Sequence, residues 1–186
     1  MIGSTCILPF PFSYNYDRLF IAGASGSGKT YLTKKILRCL DKKHYKYAVL
    51  TMGKEYSPAH TFDVGYDPVK AVEQFCMYGV EHAPITLVFE DLPTLFFTPK
   101  PPKIFQMLLV RGRHLGVGFI FITHSTTRIP TIILSNTNKY VFFKILDTRQ
   151  LAVFSIPELE KHLLPLKQYQ FYYYDRDTGQ NGIFKA

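Results

Sequence analysis

Acidic residues are scarce in this sequence, and cysteine pairs are missing from it. Only 14 Asp and Glu stand against 22 Lys and Arg in 186 residues, a formal charge of +8. Such an excess favours a polyanionic partner, because lysine and arginine release the counterions condensed on phosphates. Charge alone does not choose between a nucleic acid and another acidic surface. Cys6, Cys39 and Cys76 lie far apart and form no CxxC pair, which argues against a zinc site or a disulfide framework and predicts reduced thiols. No apolar run approaches the roughly 20 residues that a membrane helix needs. The first six residues show no basic region followed by an apolar stretch, so no secretory signal is readable and an intracellular protein without membrane insertion is expected. Hydrophobic residues at 47% and charged residues at 19% give the balance, and the chain has the length, of one ordinary domain spanning residues 1–186.

Residues 1–17 carry Pro9, Pro11 and the aromatics Phe10, Phe12, Tyr14 and Tyr16 without any period, and read as an arm packed across a surface. Leu19 to Ala22 is a short apolar run, and Leu32, Ile36, Leu37 and Leu40 are spaced for a helix from Lys29 to Leu40. A strand is expected at Tyr47 to Thr51, and a helix from Pro68 to Tyr78 with Asp67 as its cap. Further strands are expected at Ile85 to Phe89, Gly118 to Thr123 and Lys139 to Ile145. Between them, Ile104, Phe105, Leu108 and Leu109 fit a helix interrupted near Gly112, after a proline-rich loop. Short helices are predicted near Arg149 and from Pro157 to Leu164, and a hairpin within residues 165–186 turns at Asp177-Thr178-Gly179. Apolar strands alternating with helices predict an α/β three-layer sandwich with a mainly parallel central sheet, whose ligands sit beyond the carboxyl ends of its strands.

The strongest motif stands at one of those ends. Gly23-Ala24-Ser25-Gly26-Ser27-Gly28-Lys29-Thr30 fits G-x-x-x-x-G-K-[ST], directly between the first strand and the first helix. Glycines let the backbone wrap phosphates with its N–H groups pointing inward, and the helix N-terminus adds its positive end. The motif therefore predicts binding of ATP with Mg2+, Lys29 reaching the β- and γ-phosphates and the Thr30 hydroxyl ligating the metal. A Gly/Ser turn capping a helix is the bland alternative, and the flanking strand and helix weigh against it. Ile85 to Phe89 ends in Glu90-Asp91, two acids for two tasks: by position Glu90 takes the metal and Asp91 the attacking water. Asp91 before Leu92-Pro93 would also serve as a helix cap. The next strand ends at His124, where a polar side chain could sense the γ-phosphate. Arg111, Arg113, Arg128 and Arg149 are candidates for the cation that stabilises a phosphoryl-transfer transition state.

With these motifs in their order, the chain resembles the viral genome-packaging ATPases of the FtsK/HerA superfamily, the poxvirus and internal-membrane icosahedral virus types. The residues that carry the likeness are the phosphate loop, Leu87 to Asp91, Gly112-Arg113-His114-Leu115, Thr123-His124, Arg128-Ile129-Pro130 and Asn136 to Phe143. The resemblance implies an additional-strand, RecA-like core, and a homo-oligomeric ring of five or six subunits with ATP sites at their boundaries. It also implies transport of double-stranded DNA through a capsid vertex, in the host cytoplasm or the virion. It places the arginine acting in trans at Arg113, with Arg128 next. Glu90-Asp91 departs from the family's usual Asp-Glu or Asp-Asp, and His124 from its usual Gln. A minimal motor without the extra domains of cellular FtsK and HerA proteins is expected. Lys100 and Lys103 in the proline-rich loop are candidates for DNA contact; Lys34, Lys35, Arg38, Lys42 and Lys43 form a denser basic group that fits a solvated helix face equally well. Three other readings stay open: a small-molecule kinase using the same loop, a motor for phage assembly or conjugation, and a module that binds nucleotide and assembles without turnover. A GTPase is disfavoured, since Asn138-Lys139 is not followed by Asp at the spacing that reads guanine.

Overall fold

Strands that are apolar along their whole length need cover on both faces, and the computed structural model, which describes residues 8–97, 100–127, 129–145 and 148–186, provides it. In chain order the elements are β1 (Arg18–Ala22), α1 (Lys29–Lys42), β2 (Tyr47–Thr51), β3 (Thr61–Asp63), α2 (Pro68–Glu81), β4 (Ile85–Glu90), α3 (Leu92–Leu95) and α4 (Lys103–Leu115). There follow β5 (Val117–Thr123), α5 (Thr131–Asn136), β6 (Lys139–Phe143), α6 (Leu159–Leu163), β7 (Gln170–Asp175) and β8 (Asn181–Lys185), with 3-10 turns at Pro58–His60 and Thr148–Phe154. They build one 8-stranded sheet in the order β3-β2-β4-β5-β1-β6-β7-β8. Strands β3 through β6 run parallel, and β7 and β8 close the sheet antiparallel. The α/β sandwich and the closing hairpin are as the sequence predicts.

The strand alternation sorts the core into two layers. Leu19 and Ile21 of β1 face Leu32, Ile36, Leu37 and Leu40 of α1, while Phe20 and Ala22 face the layer built by α2 through α6. One helix is too narrow to cover its side of so wide a sheet. The amino-terminal arm supplies part of the rest: Phe10 is buried and stacks on Tyr173, and the Tyr14 carbonyl accepts a hydrogen bond from Thr86 Oγ1 at 2.6 Å.

Several expectations change in detail. Helix α4 runs through Gly112 without a break, because the missing side chain lets the helix press onto β5, where an added Cβ would stand 3.1 Å from the Val117 carbonyl. Asp67 caps α2 as expected, accepting from Lys70 N at 3.0 Å. The helix near Arg149 is a 3-10 helix, and β3, α3 and α5 are too short to carry a readable period. Cys39 is disulfide-bonded, which corrects the expectation of three reduced thiols, whereas Cys76 is a free thiol. Burial pushes the Cys76 thiol far above its ordinary range and leaves it unreactive.

At the edge where the parallel strands begin lies a buried polar cluster. The Lys139 ammonium is 2.5 Å from Asp175 and 3.9 Å from Asp17, and Asn138 donates to Asp17 and accepts from the Arg18 backbone N–H. Burial works against the Lys139 charge, but the hydrogen bond it donates to Asp175 and the charge of Asp17 carry its pKa above the usual value. This cluster ties β1, β6 and β7 into register.

Candidate active site

The phosphate loop leaves β1 at its carboxyl end and enters α1 through two glycines with positive φ, Gly26 at 71° and Gly28 at 116°. Both angles are costly for any side chain with a Cβ. Gly23 is required for a different reason: a Cβ there would sit 2.6 Å from Phe143 Cβ. The loop is pinned to the neighbouring strand by a hydrogen bond from Ala24 N to the Lys144 carbonyl, 3.1 Å. No side chain caps α1, so its first N–H groups are free to meet an anion. Among the described residues, Ser27 Oγ is buried with no hydrogen-bond partner. A buried hydroxyl in that state costs free energy unless a ligand satisfies it.

Lys29 is folded back on this loop, its Nζ donating to the carbonyls of Gly23 and Ala24 at 2.8 and 2.9 Å. Burial lowers its pKa, and the charges of Glu90 and then Asp91 act in the opposite direction. Both acids therefore lie within electrostatic reach of the ammonium. This is the convergence expected of one polyphosphate site, and it follows from the sheet order: β5 sits between β1 and β4, so the loop after β1 and the acids after β4 rise from the same edge. A strand inserted at that place is the additional-strand arrangement implied by the resemblance.

Glu90 is the last residue of β4, and its position two after Val88 turns it to the α1 side of the sheet. Its two oxygens accept hydrogen bonds from Thr51 Oγ1 at 2.6 Å and from the Tyr56 hydroxyl at 3.0 Å. Burial, then the Glu90 charge, pushes the Tyr56 hydroxyl pKa far upward, so it remains a donor. Asp91 has left-handed backbone angles, φ 60° and ψ 62°, and opens α3. Its side chain does not cap that helix. One carboxylate oxygen instead accepts from Thr94 Oγ1 at 2.6 Å, and the other lies 2.8 Å from Nδ1 of His124. The two residues at the ends of neighbouring strands are thus a contacting pair, with His124 more than half exposed. Thr123 Oγ1 donates to the Ser125 carbonyl and shapes the turn that presents the ring.

Other predicted residues fall elsewhere. Arg113 lies on the last turn of α4, beside Arg18 and 3.9 Å from Asp177. That is the edge where β1 begins, about 15 Å from the phosphate loop by the rise of a strand. Arg113 therefore meets no phosphate of its own chain, and a role in trans requires a second subunit. Arg128 lies outside the described residues. Lys100 and Lys103 are exposed at the start of α4, on the same edge of the sheet as the loop. Sequence reasoning missed Thr51 and Tyr56. Thr51 could have been found as the one polar residue ending the run Tyr47–Thr51; Tyr56 stands in an aperiodic stretch and gave no signal.

Fold and loop together define a P-loop NTPase architecture. Solved structures agree with it. The genome packaging NTPase B204 from Sulfolobus turreted icosahedral virus 2, in complex with ATP-gammaS, superposes with a TM-score of 0.81 at 20% identity, covering 93% of this chain and 98% of that one. The pCW3 conjugation coupling protein TcpA with ATPgS gives 0.73 at 16% identity, over 92% of this chain and 60% of TcpA. The cytoplasmic domain of the Thermomonospora curvata Type VII secretion ATPase EccC gives 0.67 at 15% identity, over 93% of this chain and 25% of EccC. The resemblance drawn from the motifs thus extends to the fold of a viral packaging NTPase along nearly the full length of both chains. No family model matches the sequence, and no curated protein does either.

Proposed function

We propose that this chain is an ATP-hydrolysing motor that moves double-stranded viral DNA into a preformed capsid. The observation that carries the reading is the gathering of Lys29, Glu90, Asp91 and His124 at one edge of the sheet, around a loop with an unpartnered buried hydroxyl. Lys29 exchanges its two loop carbonyls for phosphate oxygens, and the uncapped N-terminus of α1 holds the rest of the phosphate chain. Mg2+ suits the donors present. The Thr30 hydroxyl and the Glu90 carboxylate are hard oxygen ligands, few enough to leave room for phosphate and water, and no cluster of three or more His, Cys, Asp or Glu that would cage a metal occurs among the described residues. The ion would supply charge neutralisation on the phosphates.

Asp91 orients and deprotonates the attacking water, and His124, in contact with its carboxylate, holds that carboxylate in place. Electrostatic reach from Lys29 to both acids supports their sharing one site, and the engagement of both Glu90 oxygens by neutral hydroxyl donors keeps that side chain fixed. One observation favours a rival reading: Asp91 is already engaged by Thr94 and His124, as it would be in a module that binds nucleotide and assembles without turnover. Transport of DNA and assembly into a ring, acting in the host cytoplasm or the virion, are supported by the net charge of +8 and by the fold shared with a genome packaging NTPase.

Steady-state phosphate release, measured at several protein concentrations with and without duplex DNA, tests the proposal. A rate that rises faster than linearly with protein and increases with DNA is expected. A linear rate indifferent to DNA defeats the packaging reading, and absence of turnover alongside tight ATP binding favours the assembly module. Turnover that requires a small-molecule acceptor would make the chain a kinase.

A further inference from the structure

The direction of the phosphate chain across the loop identifies where the rest of the nucleotide goes. Across the carboxyl edge the order is β4, β5, β1, β6, β7. The acids after β4 and the histidine after β5 flank the loop on one side, so the reacting γ-phosphate points toward them. The opposite end of the molecule must then leave toward β6 and β7.

A cavity of about 300 Å³ lies there, at the small end of the range for ligand pockets. Its floor is the phosphate loop itself, residues 24–27, and its walls are Lys144 and residues 166–170. Because β7 is antiparallel, with Phe171 opposite Phe143, its first residues arrive at the same edge at which the parallel strands end. The segment before it is a closed turn: Gln170 N donates to the Lys167 carbonyl at 3.0 Å, and Gln170 Oε1 accepts from Lys167 N at 2.9 Å. Tyr169 occupies the tip with φ 62°, an angle costly for a tyrosine, and its carbonyl accepts from Ala186 N. Its ring lies against Gly28, where an added Cβ would stand 3.0 Å from Cδ1, and the residue remains 45% exposed. A large aromatic ring held partly open in a strained turn is a platform for a flat ligand.

We infer that Tyr169 stacks on the base of the bound nucleoside triphosphate, in a subsite formed by the 166–170 turn and Lys144 beside the phosphate loop. The inference rests on residues 23–30 being that loop. A base gains affinity from stacking on an aromatic side chain, so the subsite favours the nucleoside end and adds nothing for bare phosphates.

Calorimetric titrations with ATP and with inorganic tripolyphosphate, each with magnesium, separate the two parts on wild type, Tyr169→Ala, Tyr169→Phe and Lys29→Ala. Tyr169→Ala is expected to weaken ATP about tenfold or more and to leave tripolyphosphate unchanged, while Tyr169→Phe behaves as wild type. Equal weakening of both ligands by Tyr169→Ala overturns the subsite, since the ring would then only pack the loop. Unchanged affinity for both also overturns it, and the phosphate loop still stands if Lys29→Ala weakens both ligands. Should Lys29→Ala bind both normally, the loop assignment fails and the subsite with it.

Discussion

Asp91 and His124 illustrate how much chemistry a single position can hold. Asp91 has left-handed backbone angles, and its carboxylate bridges Thr94 of the helix it precedes and the imidazole at the end of the next strand. A carboxylate held in that way can accept a proton from water without reorganising first. Asp91→Asn preserves size and the Thr94 contact but removes the proposed base. ATP binding should be unchanged within about twofold, and turnover should fall by about a hundredfold or more, the usual worth of general-base catalysis; a wild-type rate in this variant moves the base elsewhere. Glu90 differs from its neighbour in that both of its oxygens accept from neutral hydroxyls, those of Thr51 and Tyr56. Orientation, more than acidity, is what those hydroxyls contribute.

Elements in this molecule are placed by close approaches that only small residues allow. Gly118, in β5, lies under the amino-terminal arm so closely that a Cβ would stand 2.0 Å from the Tyr14 carbonyl oxygen. Backbone cannot yield there as a flexible side chain can. Gly118→Ala should therefore lift the arm, break the Thr86 to Tyr14 hydrogen bond and expose the buried Phe10. The expected loss is about 1–3 kcal/mol, the usual cost of overpacking, read as a lower thermal midpoint together with faster proteolysis within residues 8–17. An arm that stays protected at unchanged stability would show that its packing does not depend on this contact. Helix α4 makes the related point at Gly112, where a residue that reads as a helix breaker is instead the contact surface of an unbroken helix.

At the scale of the whole molecule, charge and edges decide what can assemble. The phosphate loop, the acids and the exposed Lys100 and Lys103 share the carboxyl edge of the sheet, while Arg113 sits at the other edge. On the proposed reading, Arg113 is too far from the nucleotide site of its own chain and would serve only a neighbour's. Among the described residues no helix is long and apolar enough to cross a membrane. If Lys100 and Lys103 track a phosphate backbone, replacing both with Ala should weaken duplex binding equally for all sequences and lower the slope of log affinity against log salt by about 2, roughly one unit per lost phosphate contact. An unchanged slope would move the contact to another basic group, with Lys34, Lys35 and Arg38 of α1 next in line.

The amino-acid sequence by itself determined the phosphate loop, the apolar strands and the helices long enough to show a period, since each of these is written in neighbouring residues. Glycine spacing, strand alternation and the capping Asp67 are local signals, and local physics sets them. Other features depend on residues far apart in the chain. The insertion of β5 between β1 and β4, the pairing of Asp91 with His124, the anchoring of Glu90 by Tyr56 and the approach of Tyr169 to Gly28 arise only when the sheet order brings distant strand ends to one edge. Tertiary packing alone decided them, because no local pattern records which distant strand end will become a neighbour.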